Sequence, residues 1–309
     1  MRKSFTGHLH NTVMSPYKIQ TRLLALAIGL TGWVPHAAIA QSSIETGERL
    51  TATGGVTQIE GAAGGGLVPW ALITGYGTKD EIGASFFATQ VSTSGFRLKV
   101  SGVALGIRDR VELSAANERF SLGDTVPGTS ITQEVVGIKL KLTGDAVFNA
   151  DHPWPQISAG MQMKRNRNFD FVPRLLGARQ GDGTDYYISA TKLYLAALAG
   201  RNVLLNATVR ATKANQFGIL GFGGDRQNRY QYQAEASAAV LITDSFVVGG
   251  EYRQKPDNLS VFREDNAWDL FIAWFPRKEI SITAGYVDLG NIANKTRQTG
   301  SYLSVQGSF

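Results

Sequence analysis

Tyr230-Gln231-Tyr232-Gln233-Ala234-Glu235-Ala236-Ser237-Ala238-Ala239-Val240 is the stretch that decides the fold. Its even positions are apolar or aromatic, and its odd positions from 231 to 237 are polar. A period of two yields two separate faces only in an extended strand. The pattern recurs over 136–142, 157–164, 203–210 and 280–286. One apolar and one polar face fit a soluble sandwich and a membrane barrel equally well.

Three features favour the barrel. Aromatic residues sit at the ends of apolar faces: Trp268 and Trp274 bracket Leu270 and Ile272, and Tyr286 closes its own strand. Such rings settle at headgroup level, so these three are the girdle candidates. Short turns near Gly77–Asp80, Arg108–Arg110, Ala199–Asn202, Thr243–Ser245 and Pro276–Lys278 alternate with long segments near 122–130, 165–185, 212–228, 255–265 and 289–300. This is the rhythm of periplasmic turns and external loops. The chain ends in an alternating strand, Tyr302 to Phe309, whose last residue is aromatic. That ending resembles the terminal strand by which assembly machinery recognises outer-membrane barrels, and it makes Phe309 the candidate assembly signal.

The expected fold is therefore an all-β transmembrane antiparallel barrel. Fourteen candidate strands can be counted: 48–58, 66–76, and twelve more running from 81–92 to 301–309. Gly54-Gly55 weakens the first, and twelve strands is the alternative. An even number leaves both termini in the periplasm. Residues 1–40 read as a removable signal peptide, with Lys18 and Arg22 before the apolar run Leu23–Leu30 and a small-x-small site at Ala38-Ile39-Ala40. Residues 41–309 form the single barrel domain, and the leader 41–47 is too short to be a plug. The location expected is the outer membrane of a Gram-negative bacterium. The partners expected are its lipids and its barrel-assembly machinery.

Composition removes several functions. Cysteine is absent, which excludes disulfides, thiol nucleophiles and zinc–thiolate sites. The net charge of +6 lies largely in residues 1–40, and the remainder holds 27 basic against 25 acidic residues. So balanced a body has no grip on phosphate backbones, and nucleic acid is not an expected partner. His152, in Asp151-His152-Pro153-Trp154-Pro155, is the sole histidine after residue 40. It falls in a periplasmic turn, and the sequence contains no Gly-x-Ser-x-Gly. No enzymatic activity and no cofactor are expected.

Three stretches carry a family resemblance: Gly54–Trp70, Gly249-Gly250-Glu251-Tyr252-Arg253-Gln254-Lys255-Pro256, and Tyr286-Val287-Asp288-Leu289-Gly290. Together they resemble a family of exported proteobacterial proteins known only as domain of unknown function 3034. The likeness spans most of the chain after residue 40. It implies an outer-membrane protein and supplies no site residue.

Other motifs read plainly. Gly61-Ala62-Ala63-Gly64-Gly65-Gly66 lacks the Lys-Ser or Lys-Thr of a phosphate cradle and is expected to be a turn between strands. Asp182 and Asp185 fall short of a calcium ligand set and are expected at a polar loop tip.

With the apolar faces outward, the lumen is expected to receive Arg97, Lys99, Lys139, Lys141, Lys164 and Arg210 from one side. Glu235, Glu251 and Asp269 come from the other, with Glu112 and Arg253 out of place. This arrangement reads either as a charge-lined pore with a transverse field or as charges that pair and fill the interior. The function expected is a passive channel for small polar or anionic solutes. The alternatives are a hydrophobic-compound uptake barrel and a structural barrel without transport. The apolar loops Phe169–Leu176 and Phe217–Phe222 are candidates for an inward constriction, a cover over a hydrophobic ligand, a contact with lipid A, or mutual packing.

Overall fold

The computed structural model describes Met1, residues 51–147 and residues 153–309. The proposed signal peptide and His152 lie outside the described residues. Two short strands come first, β1 (Val56–Thr57) and β2 (Ala63–Gly64). Twelve long strands follow: β3 (Ile82–Thr93), β4 (Arg97–Ile107), β5 (Val111–Ser121), β6 (Ser130–Thr143), β7 (Gln156–Asn166), β8 (Asp182–Leu198), β9 (Arg201–Thr212), β10 (Gln231–Thr243), β11 (Phe246–Arg253), β12 (Ala267–Arg277), β13 (Ile280–Asp288) and β14 (Thr299–Ser308). Each of β3–β14 pairs antiparallel with its chain neighbours, and β14 pairs with β3 from Gly300↔Thr93 to Ser308↔Ser85, which closes the barrel. Closure leaves no edge strand, as a sheet in lipid requires.

The outward faces carry an apolar band, with Val136, Ile138, Leu140 and Leu142 of β6 all exposed. Trp268 packs against Tyr286 at 5.7 Å near one end of the band. Trp274 stacks on Phe246 at 6.1 Å near the other. All three girdle candidates therefore point outward, at two separate levels. The short turns lie at the end where β3 begins and β14 finishes. The long loops gather at the opposite end, the one expected to be external from their length.

The strand count is twelve, the alternative of the two expected, and the difference lies in residues 48–76. Residues 53–76, apart from partly buried Gly66, are buried on every face. They enter the lumen, turn back through the small β1–β2 pair, and leave at Tyr76 to join β3. A membrane strand must show one face to lipid, and no residue of 53–76 is exposed, so this segment does not belong in the wall. The barrel thus holds a plug, contrary to the expectation of none. The glycine run is its turn and not a loop between wall strands. A Cβ on Gly65 would meet the Glu251 carboxylate, which accepts from Leu67 N–H and Trp70 Nε1, so glycine there leaves the carboxylate free to hold the plug.

Phe309 seals the seam. Its N–H donates to Ala84 O at 2.8 Å, and its carbonyl accepts from Ala84 N–H at 3.1 Å and Tyr76 N–H at 2.9 Å. Its ring stacks on Phe86 at 5.9 Å. The last residue therefore ties β14 to β3 and to the root of the plug. Deleting Phe309 is expected to lower the yield of heat-modifiable barrel in the outer membrane and leave periplasmic aggregate. Undiminished barrel on a heated-versus-unheated gel would count against this role.

Candidate functional site

The lumen, where plug meets wall, is the candidate site. A looped chain inside a barrel cannot pair its backbone with the sheet, yet each buried N–H and C=O needs a partner. Wall side chains supply them. Ala71 N–H donates to Thr191 Oγ1 at 2.7 Å, and Ala71 O accepts from Ser158 Oγ at 2.6 Å and Gln156 Nε2 at 2.5 Å. Pro69 O accepts from Ser189 Oγ at 3.0 Å and Thr208 Oγ1 at 2.9 Å. Glu112 accepts from Ala63 N–H at 3.1 Å and Thr74 N–H at 2.9 Å. Lys139 Nζ donates to Ala63 O at 3.0 Å and Leu72 O at 2.8 Å, and pairs with Glu112 at 3.1 Å. Glu251 accepts from Leu67 N–H at 2.6 Å.

One ionic cluster dominates. Glu60, at the tip of the plug and 0% exposed, meets Lys164, which also pairs with Asp185 at 2.6 Å. Arg253 holds Glu60 at 2.9 Å and Glu235 at 3.2 Å. Arg210 holds Glu235 at 2.5 Å and lies 3.7 Å from Glu60. One carboxylate from the plug thus joins three cations from β7, β9 and β11. Buried charges at this density persist only when each has a partner, and here every member has one.

The plug is covered from the external end. The loop after β9 makes a 3₁₀ turn, Asn215–Gly218, with Gln216 and Phe217 at positive φ. Phe217 lies 4.3 Å beneath the Arg253 guanidinium, and its carbonyl accepts from Lys164 Nζ at 3.1 Å and Gln133 Nε2 at 3.2 Å. Glu264 accepts from Gln216 N–H at 2.6 Å and pairs with Lys255 at 3.6 Å. Burial pushes the Glu264 carboxyl up to about 7 against the pull of Lys255. Of the two apolar loops, Phe217–Phe222 is therefore the inward constriction. Phe169–Leu176 stays outside, around the short helix α1 (Val172–Leu175), with Leu175 exposed and Phe169 beside Gly181 and Gly221 of neighbouring loops.

The expected lumen residues divide. Lys139, Lys164, Arg210, Glu235, Glu251 and Asp269 point inward and are buried. Lys141 points inward at the periplasmic rim, where it pairs with Asp109 at 2.7 Å. Arg97 and Lys99 do not line the lumen: both are exposed on the outer face of β4, while Leu98 and Val100 turn inward. Their neighbours inside are the plug's Val56, Ile59 and Leu67, and an apolar plug surface wants an apolar wall. The expected basic wall facing an acidic one is also absent. Glu112 and Arg253, both out of place in that scheme, are partners of Lys139 and Glu60. Asp182 and Asp185 lie on opposite faces of β8, so they cannot share a cation. Asp185 sits in the lumen and not at a loop tip. The residues that the sequence reading missed are those of the plug, above all Glu60.

The family model described as a protein of unknown function (DUF3034) matches residues 53–306, from the first buried residue of the plug to the last strand. The chain belongs to this family. The plug is part of the matched domain and not an appendage to it. No curated protein matches the chain. Among solved structures, the KdgM porin is similar at 10% identity and a TM-score of 0.47, covering 73% of this chain and 99% of that one. The outer membrane protein Omp33 of Acinetobacter baumannii is similar at 10% identity and 0.42, covering 75% and 100%. The COG4313 outer membrane channel from Pseudomonas putida F1 gives 10% identity and 0.40, covering 78% and 96%. The activity of this family member has to be read from its own lumen.

Replacing Glu60 with Gln keeps the shape and removes the one plug carboxylate that three cations share. Breaking a buried pair costs about 3–5 kcal/mol. Hydrogen exchange of residues 53–77 is expected to rise in Glu60→Gln while the barrel strands stay protected. Equal protection of the plug in both proteins would mean that Glu60 does not hold it.

Proposed function

We propose that this barrel is a non-enzymatic outer-membrane channel for small polar solutes, closed in the present state by its own residues 53–77. The observation that carries the reading is the polar character of the plug–wall contact. Side chains of β5 to β11 hold the plug by hydrogen bonds and ion pairs, each of which water can replace. An emptied lumen would therefore be wettable, as a conducting pore must be. Its buried wall charges are four cations, Lys139, Lys164, Arg210 and Arg253, against six carboxylates, Glu112, Glu118, Asp185, Glu235, Glu251 and Asp269. That balance gives anions no advantage, so the solute class is polar and not specifically anionic.

A second reading, uptake of hydrophobic compounds, has one observation in its favour. A chamber of about 590 Å³ lies at the periplasmic end of the lumen, lined by Trp70, Leu72, Leu204, Leu241, Phe271 and Phe275 among others. An apolar ligand there would shield Trp70 and shift its emission.

Current across planar bilayers separates the readings. Wild-type protein is expected to be mostly silent, and Glu60→Gln to conduct intermittently. A variant lacking 53–75 is expected to conduct steadily. A plug-deleted barrel that inserts, remains heat-modifiable and carries no current would refute the channel.

A further inference from the structure

Arg97 and Lys99 belong to an outward patch that the transport reading leaves unused. Register places Lys99 of β4 directly opposite Arg119 of β5, and Gln90 of β3 directly opposite Lys99. All three side chains are exposed on the outer face. Like charges facing each other across a strand pair repel, and near lipid there is little water to screen them. Among the described residues, no carboxylate lies within ion-pair distance of Arg97, Lys99 or Arg119. The acidic side chain on the same outer face nearest in register, Glu134, stands opposite Asn117 and is taken by Arg167 at 2.5 Å.

The patch sits at the external end, beside the turn between β3 and β4 and on the side of the long loops. The same level of the barrel elsewhere carries rings: Tyr186, Tyr230, Tyr252, Trp268 and Tyr286. From β14 through β5 it carries Ser301, Ser92, Gln90, Lys99, Ser101, Asn117 and Arg119 instead. Below these polar residues a groove of about 680 Å³ continues past Ala88 to Leu303 and Val305. Cations and amides at the top with an apolar floor beneath match an amphiphile that has an anionic head and acyl chains.

We infer that the outer face of β14, β3, β4 and β5 binds the phosphorylated glycolipid of the outer leaflet. Arg97, Lys99 and Arg119 take a sugar phosphate, Gln90 and Asn117 take sugar hydroxyls, and one acyl chain lies in the groove. The bound phosphate supplies the counter-charge that the Lys99–Arg119 pair lacks. Arginine suits this role because its fork meets two phosphate oxygens at once.

The test compares wild-type protein with Arg97→Gln/Lys99→Gln/Arg119→Gln, both refolded in a neutral detergent and verified by heat-modifiable migration. Native mass spectrometry then follows the addition of bisphosphorylated lipid A, dephosphorylated lipid A or phosphatidylglycerol. The wild type is expected to retain the bisphosphorylated form at least tenfold better than the dephosphorylated one. The triple variant is expected to lose that preference. Equal retention of phosphatidylglycerol by the wild type would overturn the assignment to the outer-leaflet glycolipid in favour of any anionic lipid. Equal binding by wild type and variant, or a dimer formed through this face, would overturn the site itself. None of these outcomes depends on whether the lumen conducts.

Discussion

The structure depends on one constraint: a polypeptide folded inside a β-barrel must find hydrogen-bond partners for its backbone without joining the sheet. The wall meets this demand with side chains. Thr191, Ser158, Gln156, Ser189, Thr208 and Glu112 all point inward and reach plug amides or carbonyls. The polar lumen seen from β5 to β11 follows from that task. Where the plug presents Val56, Ile59 and Leu67, the wall answers with Val91, Leu98, Val100 and Val287 instead. Polar groups pair there too, as where Thr57 Oγ1 donates to Gln306 Oε1 at 2.7 Å, so plug and wall match in polarity group by group.

The same constraint explains how much the sequence revealed. β3–β14 were legible because lipid imposes a strict outward pattern, and period-two alternation is hard to miss where one solvent is hydrocarbon. Their order, their turns and the closing strand ending at Phe309 followed. The plug was not legible as a plug because its partners are scattered over the chain, as Leu67 with Glu251 shows. A local signal did exist. Pro69 falls inside the expected strand 66–76, directly after the glycine run, and a wall strand tolerates proline poorly. Arg97 and Lys99 were misplaced for a related reason. β4 carries apolar residues on both faces, so charge alone does not mark its interior side. Val103 and Leu105 share their parity and face outward, which would have set the register correctly.

Electrostatics gives the interior its specificity. Glu60 alone joins Lys164, Arg210 and Arg253, which come from three strands far apart in sequence. A buried ionic centre of this kind contributes less to net stability than an apolar one of equal volume, but it tolerates few alternative positions. It fixes where the plug tip sits. Phe217 then closes over the cluster from the external side, using its ring against Arg253 and its carbonyl against Lys164. Plug and loop share the same cations, so movement of one bears on the other.

The central claim, that the plug occupies the lumen conditionally, is tested most directly by thiol accessibility beneath it. The chain has no cysteine, so Ser189→Cys places a single thiol on the wall under Pro69. A membrane-impermeant thiol reagent is expected to modify it slowly in the otherwise unchanged protein and faster once Glu60→Gln is added. Rates that are identical in the two backgrounds, or as fast as at a loop surface cysteine, would contradict the account.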